Sequence, residues 1–477
     1  MTTDRFFFAQ SNLDLARLMD ITANVQETPV KTTQNAIVIG GSIAGLLTAR
    51  VLADYFDQVT IIERDHLPEQ PEPRPGVPQS HQLHVLLTQG YRILNQLFPG
   101  LEEELAGWDV STLTWTADFQ WLLPGGWSPR FPSDLKTQAC SRNLLEFLIR
   151  KRLAAYKNLD FHETTTVTGL LLNPNRTTVE GVKLRNSNGT DTQLSAQFVV
   201  DASGRNSQTP QWLKNLGYEA PQETIVNAFL GYASRWYQSL GNEPLDYHVL
   251  YIMPQAPHQS RGGVLYRVEG DRWIVGLIGV GRDYPPTDEA GFLDFAQSLS
   301  HPSVYEAIKN AQPMSPIYGY RRTENRLRHY ERLSRFPDNF VVVGDAVCTF
   351  NPVYGQGMTV ASLAALVLDQ CFKQYTQHRS NPDLNDLGKH FQKKLALVNK
   401  TPWLMATADD LRWSTTAGDQ PNLMTRFLQQ YIDQVMLVAS KRAEIYQSFI
   451  EVIHLLKPTT IFFKPSILWQ VIKQAFS

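Results

Sequence analysis

Apolar residues along the chain fall into two kinds of run. Three short runs, AIVIG (residues 36–40), VTIIE (59–63) and FVVVGDA (340–346), are continuous and rich in β-branched residues. Such runs suit strands buried on both faces, as in a parallel sheet. Three longer runs repeat apolar residues at helical spacing: AGLLTARVLADYF (44–56), SRNLLEFLIRKRLAAY (141–156) and MTVASLAALVLDQCF (358–372). The first strand, a glycine turn, the first helix and the second strand take about 30 residues, the size of one right-handed βαβ unit. Residues 64–80, rich in Pro and charge, read as a loop, and 81–105 as helix. Residues 110–135 alternate like sheet and carry Trp115, Trp121 and Trp127, with Trp108 just ahead. Strands with turns between them are predicted over 161–207, sheet then helix over 208–320, and mostly helix over the last 100 residues. Upstream, SNLDLARLMD (11–20) predicts a short helix capped by Ser11, and QETPVKTTQ (26–34) a linker.

Composition narrows the class. At 477 residues the chain has room for two or three domains of about 150 residues each. Hydrophobic residues at 43% and charged residues at 19% are ordinary for a globular protein and argue against general disorder. A formal net charge of -2 leaves no basic excess for a phosphate backbone, so no nucleic acid is expected as a partner. Cys140, Cys348 and Cys371 are scattered, with no CxxC pair and no metal-ligand spacing, which suits a reducing compartment and no metal site. No run reaches the roughly 18 apolar residues of a spanning helix, and the N-terminal FFF is too short for a signal core. A cytoplasmic protein is expected, attached at most to one membrane face.

The chemistry starts at the turn Gly40-Gly41-Ser42-Ile43-Ala44-Gly45. It follows a strand and opens a helix, so free N–H groups and the positive end of a dipole face a diphosphate. Gly40 and Gly45 stand at the first and third glycines of the dinucleotide fingerprint. Ser42 replaces the second, and its hydroxyl is suited to a phosphate. Glu63 ends the second strand about 20 residues on, where an acid accepts ribose hydroxyls. Two further motifs sit at strand ends: Asp201-Ala202-Ser203-Gly204-Arg205, and Gly344-Asp345-Ala346 followed by Asn351-Pro352-Val353-Tyr354-Gly355-Gln356-Gly357-Met358-Thr359.

In that order, and with Arg74-Pro75-Gly76-Val77-Pro78-Gln79, these motifs resemble the p-hydroxybenzoate hydroxylase-like FAD monooxygenases, in a less-defined branch of FAD-dependent oxidoreductases. The resemblance covers about residues 35–375. It implies an α/β fold: a Rossmann-type FAD-binding domain, an inserted mixed-sheet substrate domain and a helical C-terminal region. The boundaries expected are an N-terminal extension at 1–33, FAD-binding parts at 34–110, 139–207 and 321–375, substrate parts at 111–138 and 208–320, and the helical region at 376–477. It also implies roles. Gly40, Ser42, Gly45 and Glu63 hold the ADP half, and Asp345, after Gly344, binds the ribitol hydroxyls. Arg142 lies near the FAD phosphates. Arg74 contacts FAD and passing NAD(P)H, and Asp201 and Arg205 belong to the motif linked to both. Pro352, Gly355, Gly357 and Met358 shape the loop beside the flavin ring.

The reaction implied has NAD(P)H reduce FAD. Reduced flavin and O2 then give a C4a-hydroperoxide that hydroxylates or epoxidises a small apolar or aromatic substrate. Phe119, Trp121, Tyr251, Tyr266 and Trp273 are expected to line the substrate pocket, and His84 is the candidate general acid or base. A prenyl-chain reductase or carotenoid cyclase-like enzyme uses the same motifs without O2. A halogenase wants a pocket lysine and a WxWxIP stretch, where this chain has GWSPRFP (126–132). A non-catalytic escort protein on this fold is a further alternative. The apolar tail Leu455–Phe476, with interleaved lysines and breaks at Pro458 and Pro465, has two readings. It packs as a closing helix on its own domain, or it makes a one-sided membrane contact.

Overall fold

The computed structural model describes residues 32–240, 245–376 and 384–475. The helix expected at Ser11 lies outside the described residues. The three continuous apolar runs do become buried parallel strands. The sheet has five strands: β1 (Thr32–Ile39), β2 (Phe56–Ile62), β3 (Leu159–His162), β4 (Phe198–Asp201) and β5 (Phe340–Val342), in the order β5-β4-β1-β2-β3. All neighbours are parallel. Val38, Val59, Val199, Val200, Val341 and Val342 are fully buried, which is why these segments need no alternation.

The order reverses between β1 and β4, and the register brings Ile39, Asp201 and Val342 side by side. The glycine turn and both later motifs therefore leave the sheet at one crevice beyond the strand ends, where open α/β sheets bind ligands. Helix α1 (Ile43–Leu52) packs on the sheet with α3 (Gly357–Thr376), while α2 (Arg142–Leu153) packs against α1. Ser141 caps α2 by accepting from Leu144 N, and is itself held by Glu269, which accepts from Ser141 N and Oγ at 2.8 Å each.

A second sheet of seven strands carries the aromatic segment. Its order is Tyr318–Tyr320, Gly231–Tyr237, Arg272–Gly279, Arg261–Val268, Val249–Ile252, Phe119–Leu123, Gly126–Trp127. It is antiparallel except where Phe119–Leu123 runs parallel to Val249–Ile252, so the expected mixed sheet is present. The C-terminal region is helical: α4 (Leu387–Asp410), α5 (Leu423–Ala439), α6 (Ala443–Ile453) and α7 (Pro465–Ala475).

Residues 81–105 depart from the sequence reading. Residues 82–87 form neither helix nor strand, and α-helix forms only at Thr88–Leu97 and Leu101–Ala106, broken at Pro99-Gly100, where Gly100 takes a left-handed φ of 81°. His84 thus sits on an irregular strap and not on a helix. The tail divides by face. Ile461, Phe462, Ile467 and Val471 are buried in a cluster with Phe119, Trp121 and Phe449, as the closing-helix reading requires. Among the described residues no helix is long and apolar enough to cross a membrane.

Candidate active site

The glycine turn is built as tightly as a diphosphate site demands. A Cβ on Gly45 would stand 1.8 Å from Gly40 O. Gly40 has φ +105°, and a Cβ there would meet Ala202 O at 2.6 Å, so the DASGR turn packs directly on the glycine turn. A Cβ on Gly344 (φ +60°) would come within 2.7 Å of the Ala44 side chain. No side chain except hydrogen fits at these points, and the backbone N–H groups at the start of α1 stay open to the crevice.

A buried charge network stands behind the turn. Glu63 accepts from Gly41 N at 2.8 Å and forms an ion pair with Arg74 Nη1 at 3.0 Å. Arg74 also reaches Asp65 at 2.7 Å and Glu146 at 3.1 Å, with only 4% of its side chain accessible. Burial works against its charge, but Glu146, Glu63 and Asp65 outweigh it and raise its pKa. Arg74 therefore fixes the acid expected at the ribose. Three carboxylates hold Arg74, and it also lines the cavity.

Ser42 lines the cavity and has protein partners as well. Its hydroxyl donates to Glu146 at 2.6 Å and accepts from Arg142 Nη2 at 2.8 Å, so it serves protein partners. Arg142, the first residue of α2, continues to His84 Nε2 at 3.2 Å. Nε2 faces a permanent cation, so the ring proton sits on Nδ1 and donates to Gln82 O at 3.0 Å. Burial first, and Arg142 second, push the His84 pKa down to about 3. A ring held neutral with both nitrogens engaged positions Arg142, and this replaces the acid–base role read from sequence.

Asp201 requires a plain correction. It is fully buried, does not line the cavity, and accepts from Ser203 N, Ser207 Oγ and Thr209 Oγ1 at 2.9, 2.5 and 2.6 Å. It ties its own turn together and has no reach to a cofactor. Arg205 does line the cavity, braced by Glu324 at 2.7 Å. Asp345 lines it too, and its carboxylate accepts no hydrogen bond from the described residues. Burial raises its pKa against the pull of Arg205, Arg142 and Arg328. An unshared carboxylate on the cavity wall fits ribitol hydroxyls, each charge-assisted bond being worth about 1.5–3 kcal/mol. Asp345→Ala is expected to weaken FAD binding by about one to two decades in a fluorescence titration. Unchanged affinity would remove the assignment.

The loop Pro352–Gly357 closes the crevice. Gly355 has φ +63° and sits against Val85. Gly357 opens the 20-residue helix α3, whose positive end faces the cavity beside Met358. Tyr354 leads to residues that the sequence reading missed. Its hydroxyl lies 2.7 Å from Asp410 Oδ1 and 3.1 Å from Asp409 Oδ2, at the end of α4. Asp410 accepts also from Asn325 at 2.6 Å and Asn351 at 3.0 Å. Burial raises the pKa of both carboxyls, and Asp410 is pushed up from 3.8 to about 7 despite those donors. The signal available was an Asp-Asp doublet ending a helix, which no linear motif links to Tyr354.

A folded-state pKa above the unfolded one means the folded chain keeps a proton that the unfolded chain releases. Asp410 thus adds stability that is full below about pH 4 and is lost as pH rises to about 7. The loss is on the order of 4 kcal/mol. Unfolding free energies of Asp410→Asn should lack that slope across the window. An identical slope in the variant would overturn the assignment.

Gly40, Arg74, Arg142, Arg205, Asp345, Tyr354 and Asp410 line one cavity of about 1810 Å³. One end is walled by Gly40, Glu63, Arg142, Arg205 and Asp345, the other by Trp121, Tyr251, Ile278, Met436 and Phe449. Phe119 belongs to it as expected, but Tyr266 and Trp273 do not. Trp273 lies on the opposite face of its strand from Gly276 and Ile278, and Tyr266 packs deeper in the core. Among the described residues no group of acidic, His and Cys side chains is arranged to hold a metal.

Comparison with known proteins matches residues 33–370 to a family described as FAD binding domain. Protein Rv3254 of Mycobacterium tuberculosis is 32% identical over 414 residues, covering 83% of this chain and 85% of that protein. Among solved structures, the flavin-dependent brominase Bmp2 superposes with a TM-score of 0.66 at 14% identity, over 93% of this chain and 99% of that one. PqsL, a probable FAD-dependent monooxygenase from Pseudomonas aeruginosa, does so with a TM-score of 0.58 at 16% identity, over 80% and 98%. At these identities the two structures share the fold with this chain.

Proposed function

We propose the reaction of a chain that belongs to the FAD binding domain family and is an FAD-dependent oxidoreductase: it is a monooxygenase that hydroxylates or epoxidises a small apolar or aromatic substrate, using NAD(P)H and O2. The observation that carries this reading is the continuity of the cavity, which joins the diphosphate turn to apolar walls in one chamber. Bound there, FAD supplies the redox chemistry, accepting reducing equivalents from NAD(P)H and activating O2.

The chain's own residues do the rest. The start of α1 and Arg142 hold the diphosphate, Glu63 the ribose and Asp345 the ribitol. The positive end of α3, which starts at Gly357 on the cavity wall, would favour negative charge on a flavin held there. Trp121, Tyr251, Met436 and Phe449 keep water from the chamber. A proton is handled at Tyr354 Oη, shared between Asp409 and Asp410.

A halogenase reading needs a lysine to relay hypohalous acid, and no lysine lines the cavity among the described residues. The reductase or cyclase reading shares every residue above and differs only in its use of oxygen. With the FAD-loaded protein and a lipophilic aromatic candidate substrate, NAD(P)H oxidation should draw O2 in step. Turnover of the candidate that continues unchanged under nitrogen would overturn the monooxygenase.

A further inference from the structure

Helix α5 begins with large apolar side chains that nothing in the described chain covers. Leu423 is 85% exposed, Met424 65% and Phe427 59%. Phe463, 42% exposed, stacks at 5.0 Å on Tyr431, one turn beyond Phe427. Helix α7 runs alongside, the turn before it setting Phe463 on Tyr431 and its Gln474 accepting from Lys441, and it exposes Trp469 and Ile472. Single exposed apolar residues are ordinary, but this many on two adjacent helices mark an interaction surface.

Two observations say what it meets. The first is position. Met424 and Phe463 are both exposed and both part of the cavity wall, so the apolar surface rims the mouth of the chamber. The second is charge. In a chain of net charge -2, the stretch 422–475 holds Arg426, Lys441, Arg442, Lys457, Lys464 and Lys473 against Asp433, Glu444 and Glu451. Asp433 is paired with Arg412, and Glu451 with Lys457. Arg426, beside Phe427, and Lys464, beside Phe463, have no ion pair among the described residues and flank the apolar rim.

We propose that this rim docks on an anionic lipid surface and admits a lipid-soluble substrate from the bilayer into the cavity. Aromatic and aliphatic side chains flanked by Lys and Arg suit the headgroup boundary, the apolar groups entering it and the cations meeting anionic lipids. A second copy of the chain suits it less, because a two-fold contact sets the same cations against each other. The docking is one-sided and needs no spanning segment. It corrects the tail expectation in detail: the buried face of α7 is core, and the contact is centred on the start of α5. The substrate route rests on the monooxygenase reading, but lipid binding is measured without turnover, so the two fail separately.

The test is flotation of the full-length, FAD-loaded protein with vesicles of phosphatidylcholine and phosphatidylglycerol, and with phosphatidylcholine alone. The protein is expected to float with the anionic vesicles, to be released by high salt, and to stay down with neutral ones. L423E/F427E, two changes at exposed positions, is expected to lower the bound fraction at least tenfold while keeping its flavin. If that variant loses its flavin, the salt and lipid dependence of the unaltered protein decides alone. Absence of binding to anionic vesicles, equal flotation of a flavin-loaded L423E/F427E, or a dimer that the same pair dissociates would overturn the proposal.

Discussion

Gly45→Ala is expected to abolish useful FAD binding. The added methyl would stand 1.8 Å from Gly40 O, a backbone atom of the same turn. Relief requires either the turn or the start of α1 to move, in a turn packed so closely on Ala202 O that a Cβ on Gly40 would stand 2.6 Å from it. Overpacking of this kind costs about 1–3 kcal/mol and often more when backbone must shift. The N–H groups that would face the diphosphate move with it, so the loss in affinity should reach on the order of a hundredfold. The variant should purify colourless under conditions in which the unaltered protein is yellow. Ser42→Gly, which restores the usual fingerprint, tests the other side of the turn: it removes the hydroxyl between Glu146 and Arg142 without adding bulk. A yellow Gly45→Ala protein with full flavin content would contradict the assignment of this turn.

Arg74→Ala is expected to be among the most destabilising single changes away from the hydrophobic core. The side chain has 4% accessibility and faces Glu63, Asp65 and Glu146 at 3.0, 2.7 and 3.1 Å. Removing it leaves buried carboxylates without their cation, a loss of about 3–5 kcal/mol when one partner of a buried pair is deleted. Loss of Glu63's orientation should lower FAD affinity as well. Arg74→Lys keeps the charge but cannot serve three acids from a planar fork, so it should recover only part of the stability. Chemical denaturation of the three proteins checks this. An Arg74→Ala midpoint within error of the unaltered protein would mean the network carries little.

What is legible in the sequence follows periodicity and turn chemistry. Continuous apolar runs find β1, β2 and β5, because strands buried on both faces have no alternation to hide. The glycine turn and GDA motif announce the strand ends that the register brings together. Side-chain direction is not legible. Asp201 sits where the motif puts it, but hydroxyls at Ser203, Ser207 and Thr209 turn its carboxylate inward. Trp273 falls on the face away from the cavity because alternation alone does not say which face meets it. Periodicity carries His84 into a helix that in fact starts only at Thr88 and that Pro99-Gly100 breaks. Tyr354 and Asp410 meet across 56 residues of sequence, a contact only the fold makes.

The oxygen-inserting reading of the chamber stands or falls on the fate of O2. The FAD-loaded protein, NAD(P)H and a set of lipophilic aromatic candidates should be incubated under 18O2 and the products weighed by mass spectrometry. One labelled oxygen atom per product molecule, with label from water absent, is the result expected of a monooxygenase built on this cavity. A product that gains hydrogen or rearranges, carries no label and forms equally well without oxygen would contradict it.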